Sequence, residues 1–170
     1  MKQINIEIKA KCKYAEKIRK ILFSKNADFK GTDHQIDIYF KVKKGRLKLR
    51  EGKIENALIY YERKNENGPK QSSVIIFPTV RNSSLKDVLE KSLDVLVTVD
   101  KSRKIYFIKN VKFHIDKVKN LGSFVEIEAI DKDGSIGKNK LLAQCNQYLK
   151  LFAIDSKDLI SVSYSDLLLK

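Results

Sequence analysis

Short stretches in which apolar and polar residues alternate dominate the chain and predict β-strands. In residues 3–12, apolar residues at positions 4, 6, 8 and 10 alternate with Asn5, Glu7, Lys9 and Lys11. Successive side chains of a strand point to opposite faces, so this segment has one apolar and one polar face. The same period of two recurs at residues 35–42, 46–50, 57–63, 73–77, 97–108, 111–118 and 124–130.

Three further segments carry apolar residues at helical spacing and predict helices at 14–24, 84–93 and 138–151. Ser84 is placed to cap the second of them. Strands that follow one another through short turns pair antiparallel, and eight of them can close into a barrel. We therefore expect a single α+β domain over residues 1–170, with an antiparallel β-barrel and helices packed outside it.

Ionisable side chains fill the polar faces of several predicted strands, where an ordinary half-exposed sheet mixes small polar residues. They are Glu7 and Lys9, then Arg46, Lys48 and Arg50, then Lys101 and Arg103, then His114 and Asp116, and finally Glu126 and Glu128. Two arrangements account for this pattern: charged faces that meet bulk water, or a barrel whose charged face lines a solvent-filled tunnel. A tunnel with both signs of charge suits a polyphosphate bound with divalent metal, since cations contact phosphate oxygens and carboxylates contact the metal.

Composition narrows the class of protein. The 170 residues contain 35 Lys and Arg against 21 Asp and Glu, a formal charge of +14 that suits a polyanionic partner. General nucleic-acid binding is disfavoured, because it needs outward-facing basic residues among stacking aromatics. With no run of about 18 apolar residues and an early charged start, we expect a cytoplasmic protein without a membrane span.

Several short motifs in a fixed order resemble a known family. They are Asn5-Ile-Glu-Ile-Lys9, Asp37-Ile-Tyr-Phe40, Gly45-Arg-Leu-Lys-Leu-Arg-Glu51, Leu58-Ile-Tyr-Tyr-Glu-Arg63, His114-Ile-Asp-Lys-Val118, Phe124-Val-Glu-Ile-Glu128 and Ser163-Tyr-Ser-Asp166. Together they resemble the CYTH superfamily, the triphosphate tunnel metalloenzymes, and within it the class IV adenylyl cyclase-like and thiamine triphosphatase-like group. The resemblance covers nearly the whole chain and implies an eight-stranded tunnel that binds a triphosphate end-on.

The resemblance also implies a role for each charged position. The implied metal ligands for Mg²⁺ or Mn²⁺ are Glu7, Asp116, Glu126 and Glu128. The implied phosphate contacts are Lys9, Arg46, Lys48, Arg50, Arg63, Lys101, Arg103 and His114, and the implied catalytic residues are Glu7, Lys9 and Asp116. Asn5 departs from the family signature, which has a glutamate there, so one metal site is expected to be poorer or to rely more on Asp116. The segment around Ser163 and Asp166 is expected to close one end of the tunnel.

These expectations favour a metal-dependent phosphohydrolase whose partner is a small triphosphate, either inorganic tripolyphosphate or an organic or nucleoside triphosphate, in a monomer or homodimer. Two alternatives stay open. One is a class IV adenylyl cyclase that makes cyclic AMP and pyrophosphate from ATP, and the other is a non-catalytic polyphosphate- or nucleotide-binding module. Hydrolysis is preferred because the sequence shows no aromatic cluster that frames an adenine pocket.

Overall fold

The computed structural model describes residues 2–170 and contains eight strands and four α-helices. The strands are β1 (Lys2–Lys11), β2 (Asp28–Phe40), β3 (Arg46–Glu51), β4 (Ala57–Arg63), β5 (Lys70–Pro78), β6 (Val95–Ile108), β7 (Val111–Val118) and β8 (Gly122–Asp131). The helices are α1 (Ala15–Ser24), α2 (Leu85–Ser92), α3 (Lys138–Leu151) and α4 (Tyr164–Leu168). The strands close into an antiparallel barrel in the order β1-β5-β4-β3-β2-β6-β7-β8, so the predicted fold class is confirmed.

Strand β1 closes the barrel by pairing with β5 on one side and β8 on the other. Against β8 it places Glu7 opposite Glu128 and Lys9 opposite Glu126. Residues that face each other across antiparallel strands project to the same side of the sheet. The charged positions of the two strands therefore share the inner face.

The largest hydrophobic cluster lies outside the barrel, between its wall and two helices. Ile6 and Ile8 of β1 pack with Phe113 and Ile127 beneath buried side chains of α1 and α3. Each such isoleucine contributes roughly 1.5–3 kcal/mol by leaving water. Because the apolar core lies outside the barrel, the inner face is free to carry charge. The barrel therefore has its charged face inside, as in the tunnel arrangement, and not toward bulk water.

Two strands begin three or more residues earlier than the alternation predicts. Strand β2 begins at Asp28, ahead of the predicted 35. The alternation misses its first residues because a bulge between Phe29 and Gly31 shifts the register against β6 and breaks the period of two. Gly31 adopts φ 125°, and a Cβ there would lie 2.9 Å from the Ile54 side chain. Strand β5 begins at Lys70, ahead of the predicted 73, because its first residues pair with β1, where Lys70 lies opposite Glu7.

The C-terminal segment folds back across one end of the barrel. The Ile160 amide donates to the Lys9 carbonyl at 2.8 Å, and Ser163 forms a reciprocal capping box with Asp166 at the start of α4. Tyr164 packs against Phe124, so an aromatic pair fills this end of the interior. Within residues 2–170, no helix has the length and apolar character needed to cross a membrane.

Candidate functional site

A cavity of about 290 Å³ lies inside the barrel, and every strand contributes side chains to its lining. It extends from Ser163 and Tyr164 at the closed end to Gln3, Ile130 and Lys132. Ten residues singled out in the sequence line it: Glu7, Lys9, Lys48, Arg50, Arg63, Lys101, Arg103, His114, Glu126 and Glu128. The structure therefore brings both signs of charge into one enclosed space. Arg46 and Asp116 lie elsewhere.

Arg46 lies outside the cavity, in a separate surface groove on the β3–β4 side. Its Nη2 donates to Asp166 at 3.0 Å and to Asn65 at 3.1 Å. Arg46 shares the alternation of Lys48 and Arg50 but sits at the first residue of β3, so it reaches the barrel's rim. It attaches α4 to the wall of the barrel.

Asp116 is buried behind Arg103 and does not line the cavity. It accepts hydrogen bonds from Arg103 Nε at 2.8 Å, from Arg103 Nη2 at 2.5 Å and from the Tyr164 hydroxyl at 2.8 Å. Burial favours the neutral acid, but the Arg103 guanidinium outweighs it and lowers the pKa of Asp116. With both oxygens engaged, Asp116 fixes the position of Arg103.

Glu126 is the centre of a compensated cluster. Its oxygens lie 3.2 Å from Lys9 Nζ, 2.8 Å from Arg103 Nη2 and 2.9 Å from His114 Nδ1. Burial favours protonation, yet Arg103 and then Lys9 hold the pKa of Glu126 well below its usual range. Glu126 is therefore ionised and already neutralised by its neighbours.

His114 stays neutral in this cluster. Burial, assisted by Arg103 and Lys112, lowers the pKa of His114 to about 4. In a neutral ring that bonds a carboxylate through Nδ1, the proton lies on Nδ1 and Nε2 is an acceptor. Nε2 has no hydrogen-bond partner among residues 2–170. An acceptor suits contact with a phosphate oxygen poorly, so this geometry favours an orienting role toward Glu126.

Glu7 and Glu128 form an acidic pair directly opposite each other on β1 and β8. Arg63 donates to Glu7, and the Asn5 amide donates to Glu128. Burial raises the pKa of Glu128; Lys112 opposes that rise, and Glu7 adds to it. Across residues 2–170, no three His, Cys, Asp or Glu side chains meet in a cluster that could hold a metal. Hard carboxylate oxygens under mutual repulsion nevertheless have the donor chemistry that Mg²⁺ and Mn²⁺ prefer.

The alternation did not identify Asp37 as a site residue, although it placed it on the polar face of β2. Its carboxylate accepts hydrogen bonds from Lys48 at 2.9 Å, from Arg50 Nε at 2.8 Å and from Lys101 at 2.5 Å. Burial alone would raise the pKa of Asp37, but Arg50, Lys101 and Lys48 together hold it well below its usual value. The available signal was its place on the polar face of β2, the strand that precedes the basic strand β3 and pairs with it.

Glu55 is a second unpredicted acid and comes from the loop between β3 and β4. It accepts hydrogen bonds from Arg50 Nη1 at 2.9 Å and from Lys112. Asp33 holds this loop by accepting the backbone amides of residues 53–55 at 2.6–3.0 Å. A Cβ on Gly52 would collide with the Asp33 carboxylate, so the loop needs glycine there. Glu55 could not be predicted from the sequence, because a loop residue has no alternation that would indicate which way its side chain points.

The cavity has an apolar wall opposite the charged one. Ile59 faces Ile76, and Tyr61 faces Val74, in consecutive inward pairs of β4 and β5. An entirely ionic ligand gains little from such a wall. Apart from Arg63 at the end of β4, the charged groups that can meet a ligand therefore lie on the other strands.

Comparisons with known proteins agree with this architecture. The family model described as CYTH domain matches residues 3–164. Among curated proteins, none matches the chain significantly.

Solved structures with the same fold come from several different organisms. The PH1012 protein from Pyrococcus horikoshii OT3 has a TM-score of 0.75 at 21% identity, over 96% of this chain and 98% of that one. A Vibrio parahaemolyticus protein described as a candidate adenylate cyclase has a TM-score of 0.75 at 15% identity, over 99% of each chain. HpAC1 from Hippeastrum, described as having a dominant triphosphatase activity, has a TM-score of 0.60 at 12% identity, over 98% of this chain and 94% of that one. At these identities the likeness shows the fold.

Proposed function

The chain belongs to the CYTH domain family, and we propose that it is a metal-dependent phosphohydrolase that cleaves a small triphosphate inside the barrel. One observation carries the proposal: cationic and acidic side chains from all round the barrel converge on one cavity of about 290 Å³. Such a volume is at the lower end of ligand pockets. It suits a compact, strongly charged substrate that needs both cations and a metal.

Arginine and lysine side chains supply the phosphate contacts in this proposal. Arg63 is 3% exposed; its Nη1 bonds Glu7, while Nε and Nη2 have no hydrogen-bond partner among residues 2–170. A buried donor without a hydrogen-bond partner destabilises the folded protein, and a phosphate oxygen that accepts its hydrogen bond would remove this cost. Arg103 and Lys9 lie next to Glu126 on the same side of the cavity. These three cations are the first candidates to bind the terminal phosphates.

Glu7 and Glu128 would hold a divalent metal, with Glu126 as the nearest further carboxylate. Mg²⁺ or Mn²⁺ bound there would polarise the phosphoryl group and lower the pKa of water. The chain's own residues prepare this site. Asn5 orients Glu128 through its amide, and a neutral amide at this position adds no further negative charge beside the acid pair.

The remaining residues orient the reacting groups. Asp116 and Tyr164 fix Arg103, which in turn bonds Glu126, so a chain of hydrogen bonds runs from the closed end to the centre of the cavity. A guanidinium held in this way needs little reorganisation when charge develops on a leaving phosphate. We therefore assign Asp116 to positioning rather than to direct contact with metal.

The test is product analysis with purified protein. Tripolyphosphate, thiamine triphosphate, ATP and GTP are each incubated with Mg²⁺, Mn²⁺ or chelator, and orthophosphate, pyrophosphate and cyclic nucleotide are measured separately. We expect orthophosphate release, faster from tripolyphosphate than from ATP, and no release with chelator. Glu62→Gln, on the outer face of β4, is the matched control and should retain wild-type activity.

Two results would replace the proposal. Cyclic AMP and pyrophosphate as the main products from ATP would assign the protein as a cyclase. Tight binding of tripolyphosphate without turnover under either metal would assign it as a binding module.

A further inference from the structure

Asp37 is a single buried acid that serves three basic side chains of the cavity wall. Its side chain is 2% exposed, and that of Lys101 is 1% exposed. Lys48, Lys101 and Arg50 Nη2 all donate to Oδ2, while Arg50 Nε donates to Oδ1. The carboxylate thus accepts more charged donors than any other acid in the cavity.

The charges in this cluster do not balance. One carboxylate faces three basic side chains, and Glu55 compensates Arg50 a second time. Burial lowers the pKa of Lys101 well below its usual range, and the Asp37 carboxylate acts against that shift. Lys48 otherwise faces the rings of Tyr39 and Tyr61 at 5.4 and 5.9 Å. Like charges brought together in a buried wall repel strongly unless an anion lies among them. In the free protein that anion is Asp37.

We propose that Asp37 is a positioning residue that acts as an internal counter-ion: it keeps Lys48, Arg50 and Lys101 in place while the cavity is empty and weakens the binding of a polyanion there. This inference rests on the proposed function, because it concerns the same cavity. The depressed pKa of Asp37 agrees with it, since the carboxylate stays charged at neutral pH.

Two opposite effects follow from removing this one charge. Without Asp37 the three cations repel each other, so the free protein loses stability. The same change removes the repulsion between the carboxylate and a bound polyphosphate, so affinity for the polyphosphate rises. A residue with a purely structural role would produce the first effect without the second.

The experiment measures binding without turnover. Isothermal titration with inorganic tripolyphosphate in excess EDTA at fixed ionic strength compares wild type with Asp37→Asn. Asparagine keeps the size of the side chain and removes its charge. We expect Kd to fall at least about tenfold in the variant, because one unit charge acts on several phosphate charges at low effective dielectric constant. Thermal unfolding without ligand should show a lower Tm than wild type.

Asp131→Asn is the matched control. Asp131 is also a buried aspartate, but it accepts the backbone amides of Gly134, Ile136 and Gly137 at 2.8–3.2 Å and does not line the cavity. Its replacement should lower Tm and leave the Kd for tripolyphosphate unchanged. Equal or weaker binding by Asp37→Asn would overturn the inference.

A second comparison applies if Asp37→Asn does not fold alone. In the background of Lys101→Met, which removes one of the three cations, Asp37→Asn should bind tripolyphosphate more tightly than Lys101→Met by itself. Unchanged or weaker binding in that pair overturns the inference and leaves the proposed function intact. Wild-type protein that binds no tripolyphosphate in EDTA or with metal overturns both.

Discussion

Replacing Glu128 by glutamine should make the metal-free protein more stable and the enzyme at least about tenfold less active. Glu128 is buried opposite Glu7 in the β1–β8 pair and accepts a hydrogen bond from Asn5. Burial raises its pKa; Lys112 acts against this, and Glu7 adds to it. Glutamine keeps the shape of the side chain and removes the charge that makes its burial unfavourable.

The size of the effect follows from the register. Residues directly opposite on antiparallel strands have Cβ atoms about 5 Å apart. Two unit charges about 6 Å apart repel by roughly 3 kcal/mol at an effective dielectric constant of about 20. Lys112 and the Arg63 partner of Glu7 offset part of this repulsion. We therefore expect the free energy of unfolding to rise by about 1 kcal/mol in Glu128→Gln.

The gain should depend on pH in a defined direction. An acid whose folded pKa is raised keeps its proton to higher pH than the unfolded chain, where the ordinary value is 4.5. The folded protein therefore loses stability as pH rises from 4.5 through the folded pKa. The variant lacks this loss, so its advantage should be absent below about pH 4 and should grow as pH rises through the folded pKa of Glu128.

Urea denaturation in EDTA at pH 7 and pH 4 measures this difference. Addition of Mg²⁺ or Mn²⁺ should then stabilise the wild type more than Glu128→Gln, since metal that binds the folded state raises its stability. Glu62→Gln, on the outer face, should follow the wild type in both measurements. A Glu128→Gln protein that is less stable than wild type in EDTA, or equally stabilised by metal, would refute the reasoning.

Three further predictions use other parts of the cavity. Glu126→Gln leaves the buried charges of Lys9 and Arg103 without their carboxylate, so denaturation should show that the free energy of unfolding falls by about 3 kcal/mol. An unchanged free energy of unfolding would contradict the assigned ion pairs. Lys48→Ala should raise the KM for tripolyphosphate, whereas Arg46→Ala should leave KM unchanged and speed hydrogen exchange in α4; equal KM changes would contradict their placement. The pKa of His114 is lowered from 6.5 to about 4, so the unfolded state binds its proton first as pH falls. Stability should fall by about 3 kcal/mol from pH 6.5 to 4, and His114→Gln should flatten that slope.

The charged and apolar faces of each strand could be predicted from the sequence because they depend on a period of two, whereas the inward direction of the charged face was implied by the family resemblance. A closed sheet gives every strand one inner and one outer face. Once β1 alternates isoleucine with Glu7 and Lys9, apolar packing against α1 and α3 decides which set points inward. Glu126 and Glu128 follow, since their register with β1 puts them on the same face.

Depth along the barrel could not be predicted in the same way. Arg46 and Asp116 have the correct alternation, but Arg46 lies at the rim and Asp116 lies behind Arg103 against Tyr164. Their positions depend on strand stagger and on the C-terminal segment, neither of which leaves a periodic signal. Glu55 depends on a loop that Asp33 holds through backbone amides, so only the tertiary structure brings it to Arg50.

Counting cations also overstated the free positive charge of the cavity. Lys48, Arg50 and Lys101 share Asp37, while Lys9 and Arg103 share Glu126. Sequence reasoning sought the acids that would bind metal and so missed those that neutralise basic residues. Buried cations need counter-ions in the empty protein as well as in the complex, and Asp37 meets that need.

The cavity thus contains two clusters of basic side chains, each around one carboxylate, and one pair of acids under mutual repulsion. A polyanion that enters alone meets Asp37 and Glu126, which already occupy the cations, and also meets Glu7 and Glu128. A divalent cation that enters alone relieves the acid pair but lies close to Arg63 and Lys112. When both bind, each offsets the repulsion that the other experiences, because opposite charges come together at low effective dielectric constant. Metal and triphosphate should therefore each strengthen the binding of the other, and the acids that compete with the substrate in the empty cavity make that mutual dependence stronger.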